Sequence, residues 1–139
     1  MKLKKTSISV LTSLMFILLT QTQSFSQETS SSERWLAPES AKGISNPVES
    51  NKSSIKKGAA IFKTRCTVCH GNEGKGDGPG GKSLNPKPAD FSTDKVQNQT
   101  DGEIFWKITN GKGAMIKWEP ILTEEERWQL VNFVRSLKE

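Results

Sequence analysis

Apolar residues recur with the period of an α-helix in three stretches of this chain of 139 residues. The first stretch carries its apolar residues at Ile55, Ala59 and Phe62. Ser53 or Ser54 is the predicted N-cap, because a short hydroxyl side chain accepts hydrogen bonds from the free backbone N–H groups of a first helical turn. We therefore predict a helix that ends near residue 65.

The other two stretches each begin with a capping box, in which a threonine and a glutamate three residues later bond each other's backbone N–H groups. Thr100 and Glu103 form the first box, and Thr123 and Glu126 form the second. The apolar faces that follow consist of Ile104, Phe105 and Ile108 in the middle helix and Leu130, Val131, Val134 and Leu137 in the last helix. The middle helix is predicted to end at Asn110-Gly111.

The stretches between these helices have the composition of structured loops. Three prolines, Pro79, Pro86 and Pro88, exclude a long helix between Gly71 and Phe91. A second loop runs from Gly111 to Pro120. No stretch shows the alternation of apolar and polar residues that is typical of a strand. The predicted fold class is therefore all-α, with three main helices joined by long loops.

The N-terminal residues have the pattern of a secretion signal. Lysines at positions 2, 4 and 5 precede an apolar run from Ile8 to Leu19, and Ser24 and Ser26 provide small residues for a signal peptidase. The run is shorter than the roughly 20 residues of a membrane-spanning helix, although an uncleaved anchor is the alternative. We predict a signal peptide over residues 1–26 and a periplasmic location for the rest of the chain.

Residues 27–53 are predicted to form an extended arm, and residues 54–139 the folded domain. The arm is rich in Ser, Glu, Lys and Pro and shows no sustained period. Trp35 and the Asn46-Pro47-Val48 step are expected to pin parts of the arm onto the domain. Simple disorder of the arm is the alternative.

Charge and composition also restrict the function. Loss of the three lysines of the signal lowers the formal net charge from +5 to +2, so charge gives no support for nucleic-acid binding. Only 33% of the residues are hydrophobic, and long loops need a surface against which they can pack. A large buried cofactor would supply that surface.

The two cysteines of the chain, Cys66 and Cys69, are followed directly by its one histidine, His70. Cys-x-x-Cys-His is the attachment motif of a c-type haem. Two thiols three residues apart project from the same side of a helical turn, so they can form thioethers with the two vinyl groups of one porphyrin edge. His70 then lies where its imidazole can ligate the iron.

Other uses of these residues fit less well. A structural zinc site needs four ligands, and the chain has no further Cys or His. A disulfide is the ordinary interpretation of paired cysteines in an exported protein, but it leaves the adjacent histidine unexplained. A thioredoxin-like redox pair needs a βαβ context, which the pattern does not provide.

Met115 is the predicted second axial ligand of the iron, by elimination. Met1 and Met15 leave with the signal, so Met115 is the one thioether of the mature chain. It lies in a loop between two helices, and a methionine ligand raises the potential of a haem iron. One alternative is that Met115 only fills space, which would leave an open iron site. Another is that Lys112 or Lys117 ligates instead.

A glycine-rich segment, Gly76–Ser83, matches the pattern of a nucleotide-binding loop. Such a loop needs a strand before it and a helix after it. The cysteine motif precedes this segment, and Pro86 and Pro88 follow it closely. We therefore predict no nucleotide partner.

From Ser54 to Leu137 the sequence resembles class I monohaem cytochromes c. Besides the cysteine motif, the resemblance rests on Gly58 and Phe62 in the first helix, Leu130 and Phe133 in the last, Gly78-Pro79, Trp106, and the loop around Met115. It implies the cytochrome c fold, with the first and last helices crossing in contact. It also implies one haem c, attached through two thioethers.

The resemblance implies roles for two further residues. The carbonyl of Pro79 would accept a hydrogen bond from the His70 imidazole and so fix its orientation. Trp106 would contact a haem propionate, with plain core packing as the alternative. One departure from the family is Ile116, because many members have proline after the methionine.

A protein of this kind is expected to carry single electrons between a donor and an acceptor redox protein, as a monomer that binds each transiently and is not an enzyme. The first alternative is a cytochrome subunit of a dehydrogenase or oxidase complex, with a membrane complex as partner. The second is a haem enzyme or gas sensor with a displaceable sixth ligand.

Overall fold

The computed structural model describes residues 35–139, which form six helices. In chain order they are α1 (Glu39–Lys42), α2 (Lys52–Arg65), α3 (Thr67–His70), α4 (Asp94–Gln97), α5 (Asp101–Asn110) and α6 (Glu124–Ser136). The three longest, α2, α5 and α6, are the three main helices that the sequence predicts. Across this range no helix has the length and apolar character needed to cross a membrane. The predicted signal peptide, residues 1–26, and the start of the predicted arm lie outside the described residues.

Helix α2 begins earlier than predicted, with Asn51 as its N-cap. The Asn51 side chain accepts the N–H groups of Ser53 and Ser54, and the Ser54 hydroxyl accepts the Asn51 N–H at 3.1 Å. Ser54 is thus the third residue of the helix, and the predicted cap at Ser53 or Ser54 was wrong. The prediction erred because asparagine caps a helix as well as serine does, and serine also suits the first turn.

The capping boxes predicted for α5 and α6 are confirmed. The Glu103 carboxylate accepts the Thr100 N–H at 2.7 Å, and the Glu126 carboxylate accepts the Thr123 N–H at 2.8 Å. In return, each threonine hydroxyl accepts the N–H of its glutamate. These bonds satisfy backbone donors that a first helical turn leaves free. Local sequence therefore fixes the start of both helices.

Helices α2 and α6 cross in direct contact, as predicted. A Cβ atom added to Gly58 would lie 2.1 Å from the carbonyl oxygen of Gln129 and 2.9 Å from the Cβ atom of Phe133. The rings of Phe62 and Phe133 pack beside this point, with centroids 4.9 Å apart. Because only glycine allows so close an approach, Gly58 sets the distance between the two helices.

The hydrophobic core is built around α6. Trp128 and Val131 of this helix are completely enclosed, and the Trp128 ring stacks on Phe105 of α5 with centroids 3.8 Å apart. The other buried members of the core are Phe62, Val96, Ile104, Ile108, Trp118, Leu122, Leu130 and Val134. The last helix therefore packs against both α2 and α5 at the centre of this core.

Part of the predicted arm is folded onto these helices. The Trp35 ring lies 5.7 Å from the Lys107 ammonium of α5, and Ala41 of α1 is fully buried. Asn46 donates a hydrogen bond of 2.8 Å to the side chain of Asn132 in α6. Both points at which pinning is expected, Trp35 and Asn46, thus contact the helices. The domain boundary at residue 54 stays a prediction.

Replacing Asn132 with alanine is expected to lower the free energy of unfolding by about 2–3 kcal/mol. The buried amide of Asn132 also donates to the Val48 carbonyl and the Ser54 hydroxyl, each at 3.1 Å. Its loss would remove the Asn132 donor from the Val48 carbonyl and one hydrogen bond each from Ser54 and Asn46. Urea denaturation measures the effect. Asn98→Ala, which removes an exposed amide, should change stability by less than about 0.5 kcal/mol, and equal stability of the two variants would contradict the prediction.

Candidate cofactor site

The Cys-x-x-Cys-His segment follows directly on α2 as one further helical turn, α3. The Cys66 N–H donates to the Phe62 carbonyl at 2.9 Å, and the His70 N–H donates to the Cys66 carbonyl at 2.9 Å. Both cysteines are free thiols and are half-buried. The backbone thus presents the two thiols from one helical turn, as the spacing in the sequence predicts.

The imidazole of His70 is half-buried and held by two neighbours. Its ring stacks on Phe91 with centroids 4.5 Å apart, and its Nδ1 atom lies 3.4 Å from the Ala89 carbonyl oxygen. Burial lowers the pKa of His70, while the Ala89 carbonyl acts in the opposite direction. A neutral imidazole whose Nδ1 faces a carbonyl presents Nε2 to a metal.

Within the described residues, the two thiols and His70 are not part of a cluster of metal-binding side chains. Burial raises the pKa of the Cys66 thiol to about 11, with the charge of the neighbouring Cys69 as the second cause. Cys66 therefore stays protonated at neutral pH, and its side chain packs against the hydrophobic core. Within residues 35–139, no three side chains of His, Cys, Asp or Glu converge so as to hold a metal ion. The zinc alternative thus finds no support in this geometry.

The glycine-rich segment Gly76–Ser83 folds back on the cysteine turn. The Gly76 N–H donates to the His70 carbonyl at 2.9 Å, and the Gly80 N–H donates to the Val68 carbonyl at 2.8 Å. The segment follows helix α3 rather than a strand, and the next helix begins only at Asp94. Neither flank of a nucleotide-binding loop is found in this part of the chain.

The role that the resemblance implies for Pro79 is not tested by the contacts of the His70 ring. Pro79 is exposed, and the partner that the described residues offer to the His70 ring is the carbonyl of Ala89. The role of Pro79 stays a prediction without support from this geometry. Ala89 and Phe91, which hold the imidazole, have no role in the sequence prediction. The one sequence signal that could have indicated them is an aromatic residue at the end of a proline-rich loop.

Met115 lies in the loop between α5 and α6. Its side chain is half-buried and packs against the same hydrophobic core as Cys66. Two backbone hydrogen bonds join Met115 to Lys112, at 2.9 and 3.0 Å. The structure therefore brings the cysteine turn and the methionine loop to one core, although they are far apart in sequence.

Trp106 lies on α5 and is half-buried. Its neighbour Phe105 packs against the hydrophobic core, whereas Trp106 is not among the described side chains that do so. Its contact with a haem propionate stays a prediction.

The family of the chain is decided by its match to a known family model. The model described as cytochrome C oxidase, cbb3-type, subunit III matches residues 53–134, more than half of the chain. The chain belongs to the c-type cytochromes. The matched residues of this cytochrome include the cysteine turn, His70 and Met115. It has the all-α cytochrome c fold, and members of its family bind haem and transfer electrons.

Relatives of this cytochrome include both short and long proteins. Cytochrome c6 of Euglena viridis is 31% identical over 84 residues, which cover 57% of this chain and 87% of that protein. The cbb3-type cytochrome c oxidase subunit FixP of Azorhizobium caulinodans is 32% identical over 98 residues, which cover 69% of this chain but 31% of FixP. The chain thus spans less than a third of FixP.

A solved structure supports the fold of this cytochrome. A chain of the reducing HAO-like protein complex of Kuenenia stuttgartiensis superposes with a TM-score of 0.61 and 29% identity. The match covers 69% of this chain and 50% of that chain. The similarity therefore extends over most of the described residues of this cytochrome and over half of its structural neighbour.

The residues of this cytochrome fit a haem c. Two thiols lie on one turn, a neutral imidazole follows them, and a thioether approaches the same apolar core from a separate loop. Imidazole and thioether are the axial donors that haem iron takes in cytochromes c. The groups that would hold the haem are the side chains of Cys66, Cys69, His70 and Met115.

Proposed function

We propose that this protein is an exported electron carrier that holds one haem c through thioether bonds to Cys66 and Cys69, with His70 and Met115 as the axial ligands. The observation that carries the proposal is that the cysteine turn and the Met115 loop border one hydrophobic core. When bound, the haem supplies an iron that alternates between the ferric and ferrous states.

The residues of the chain have distinct tasks in this proposal. Cys66 and Cys69 fix one edge of the cofactor. Phe91 and the Ala89 carbonyl orient the imidazole of His70, which is the kind of support that tunes a metal ligand. If the His70 imidazole and the Met115 thioether both hold the iron, no site on it would be left for a substrate. Electron transfer to and from partner proteins, rather than catalysis, is therefore the proposed activity.

The proposed setting is the periplasm, where the protein acts as a free, monomeric carrier between a donor and an acceptor that bind it transiently. The match to cytochrome c6 over most of that protein's length supports this. The second candidate is a subunit of an oxidase or another redox complex. It is favoured by the family description and by the complex in which the structural neighbour was solved.

Fractionation of the natural host separates these two settings. A free carrier should elute as a small haem protein from the soluble periplasmic fraction. Co-purification of the haem protein with a membrane complex would support the second candidate and contradict the free carrier.

Met115→Ala tests the ligand assignment in the full chain, produced with residues 1–26 in a host that attaches haem to c-type cytochromes. The native protein should show a sharp ferrous α-band and a weak ferric band at the red end of the spectrum. The variant should lose the weak band, have a lower reduction potential and bind cyanide or carbon monoxide. Ile116→Ala, at an exposed neighbouring position, is the matched control and should keep the native spectrum.

A different result for the native protein would contradict the proposal. A high-spin ferric spectrum, together with ready binding of cyanide or carbon monoxide, would mean that Met115 is not a ligand. The function would then move to a haem enzyme or a gas sensor.

A further inference from the structure

The methionine loop is closed by backbone hydrogen bonds on two levels. On the inner level, the Lys112 N–H donates to the Met115 carbonyl at 2.9 Å, and the Met115 N–H donates to the Lys112 carbonyl at 3.0 Å. On the outer level, the Trp118 N–H donates to the Ile108 carbonyl at 3.3 Å. The N–H of the residue after Trp118 donates in the same way to the carbonyl of the residue after Ile108. Trp118 is buried in the core. Both ends of the loop are therefore attached to α5.

The inner level is a two-residue turn made of Gly113 and Ala114. Gly113 has a φ of +58°, while no residue other than glycine has a positive φ in the described chain. A left-handed first position followed by an ordinary second one is the pattern of a type II′ turn, which favours glycine at the first position. A Cβ atom on Gly113 would meet no atom within 4 Å. Glycine is thus needed at this position for its conformation alone.

Gly111, at the end of α5, is constrained in two ways. Its φ is +61°, and a Cβ atom there would lie 2.3 Å from the Met115 carbonyl oxygen and 2.6 Å from the carbonyl carbon of Ile116. Its own N–H donates to the Lys107 carbonyl at 2.9 Å. A side chain at position 111 would therefore push the Met115 backbone away from the helix.

The exposed side chains of this loop contribute little to holding it. Lys112, Ala114 and Ile116 are all exposed. Lys117 forms an ion pair with Glu119, but about half of each side chain is exposed, and such pairs add little stability. Apart from the packing of Met115 itself against the core, its position therefore depends on the paired backbone and on the two glycines that allow the pairing.

We infer that Gly111 and Gly113 are positioning residues for the Met115 thioether, and that the backbone pairing they allow keeps competing ligands off the sixth iron position. This inference rests on the proposed function. Its physical basis is competition between Met115 and an external ligand for the iron. The external ligand binds only those protein molecules in which the loop has opened. The apparent affinity is reduced in proportion to that open fraction. The loop thus determines whether the protein acts as an electron carrier or as a ligand-binding haem protein.

The test is the affinity of the ferric, haem-loaded full chain for imidazole. Gly113→Ala should bind imidazole about tenfold more tightly than the native protein, because a left-handed φ strains alanine. Gly111→Ala, which adds a clash, should show a larger increase. Gly113→Asn should bind imidazole with nearly the native affinity, since asparagine is accepted in such turns. Gly43→Ala, where a Cβ atom would meet nothing within 4 Å, should bind imidazole as the native protein does.

Amide hydrogen exchange provides an independent measurement. The Lys112 and Met115 amides should exchange faster in Gly113→Ala than in the native protein. Native imidazole affinity in Gly113→Ala, with or without lowered stability, would overturn the inference. Gly113→Ala adds no steric contact. The inference can therefore be tested with this variant even if Gly111→Ala does not fold. If the proposed function itself fails, the native protein is already high-spin and binds imidazole readily, which is a different outcome.

Discussion

Replacing Gly58 with alanine is expected to lower the free energy of unfolding of this cytochrome by about 3 kcal/mol. The added methyl group would stand 2.1 Å from the Gln129 carbonyl oxygen, a backbone atom that cannot rotate away as a side chain can. Helices α2 and α6 would have to separate, and the contact between Phe62 and Phe133 would loosen. The better helix propensity of alanine offsets only about 1 kcal/mol of this loss.

Gly43→Ala is the matched control for this prediction. Gly43 has a φ of −82°, and a Cβ atom there would meet no atom within 4 Å. We therefore expect no loss of stability and a gain of at most about 1 kcal/mol. Urea denaturation of the haem-loaded proteins, monitored by circular dichroism, compares the stability of the two variants. Equal midpoints would show that the two helices do not approach each other closely at Gly58.

Replacing both Cys66 and Cys69 with alanine is expected to abolish covalent attachment of the haem. The proposal assigns one thioether bond to each residue, and the chain has no other cysteine. A haem stain on a denaturing gel and the intact mass should show one haem in the native protein and none in the double variant. The intact mass of the native protein also shows whether residues 1–26 have been removed.

Val68→Ala is the control for the double variant. It changes the exposed residue between the cysteines and leaves both thiols in place, so the stain should keep its full intensity. A double variant that retains haem after denaturation would exclude the thioether assignment.

The helices that the sequence predicts best are those whose capping residues lie within one helical turn of each other. The boxes at Thr100 and Thr123 need only residues three positions apart, and both are present in the structure. The cap of α2 was ambiguous because neighbouring polar residues can all accept the same N–H groups. Helices α1 and α4 have four residues each and no side-chain cap. They are too short to show a period, which is why the pattern does not predict them.

The candidate site also has one part that the sequence predicts and one part that it does not. The relation of Cys66, Cys69 and His70 is local, because all three lie within one turn. The contact of His70 with Ala89 and Phe91 depends on the path of the loop between them, and no short-range pattern encodes that path. The role given to Pro79 came from the resemblance alone and stays a prediction, while the structure brings the Ala89 carbonyl to the imidazole.

The crossing of α2 and α6 also sets an order of events during synthesis. Helix α2 ends immediately before Cys66, whereas its packing partner spans Glu124–Ser136. Because a chain emerges from its N-terminal end, the cysteine turn is made well before the helix that completes the core. Contacts between such distant segments also form slowly. Under the proposed function, both thiols would therefore be open to haem attachment until α6 packs against α2, and the core would close only afterwards.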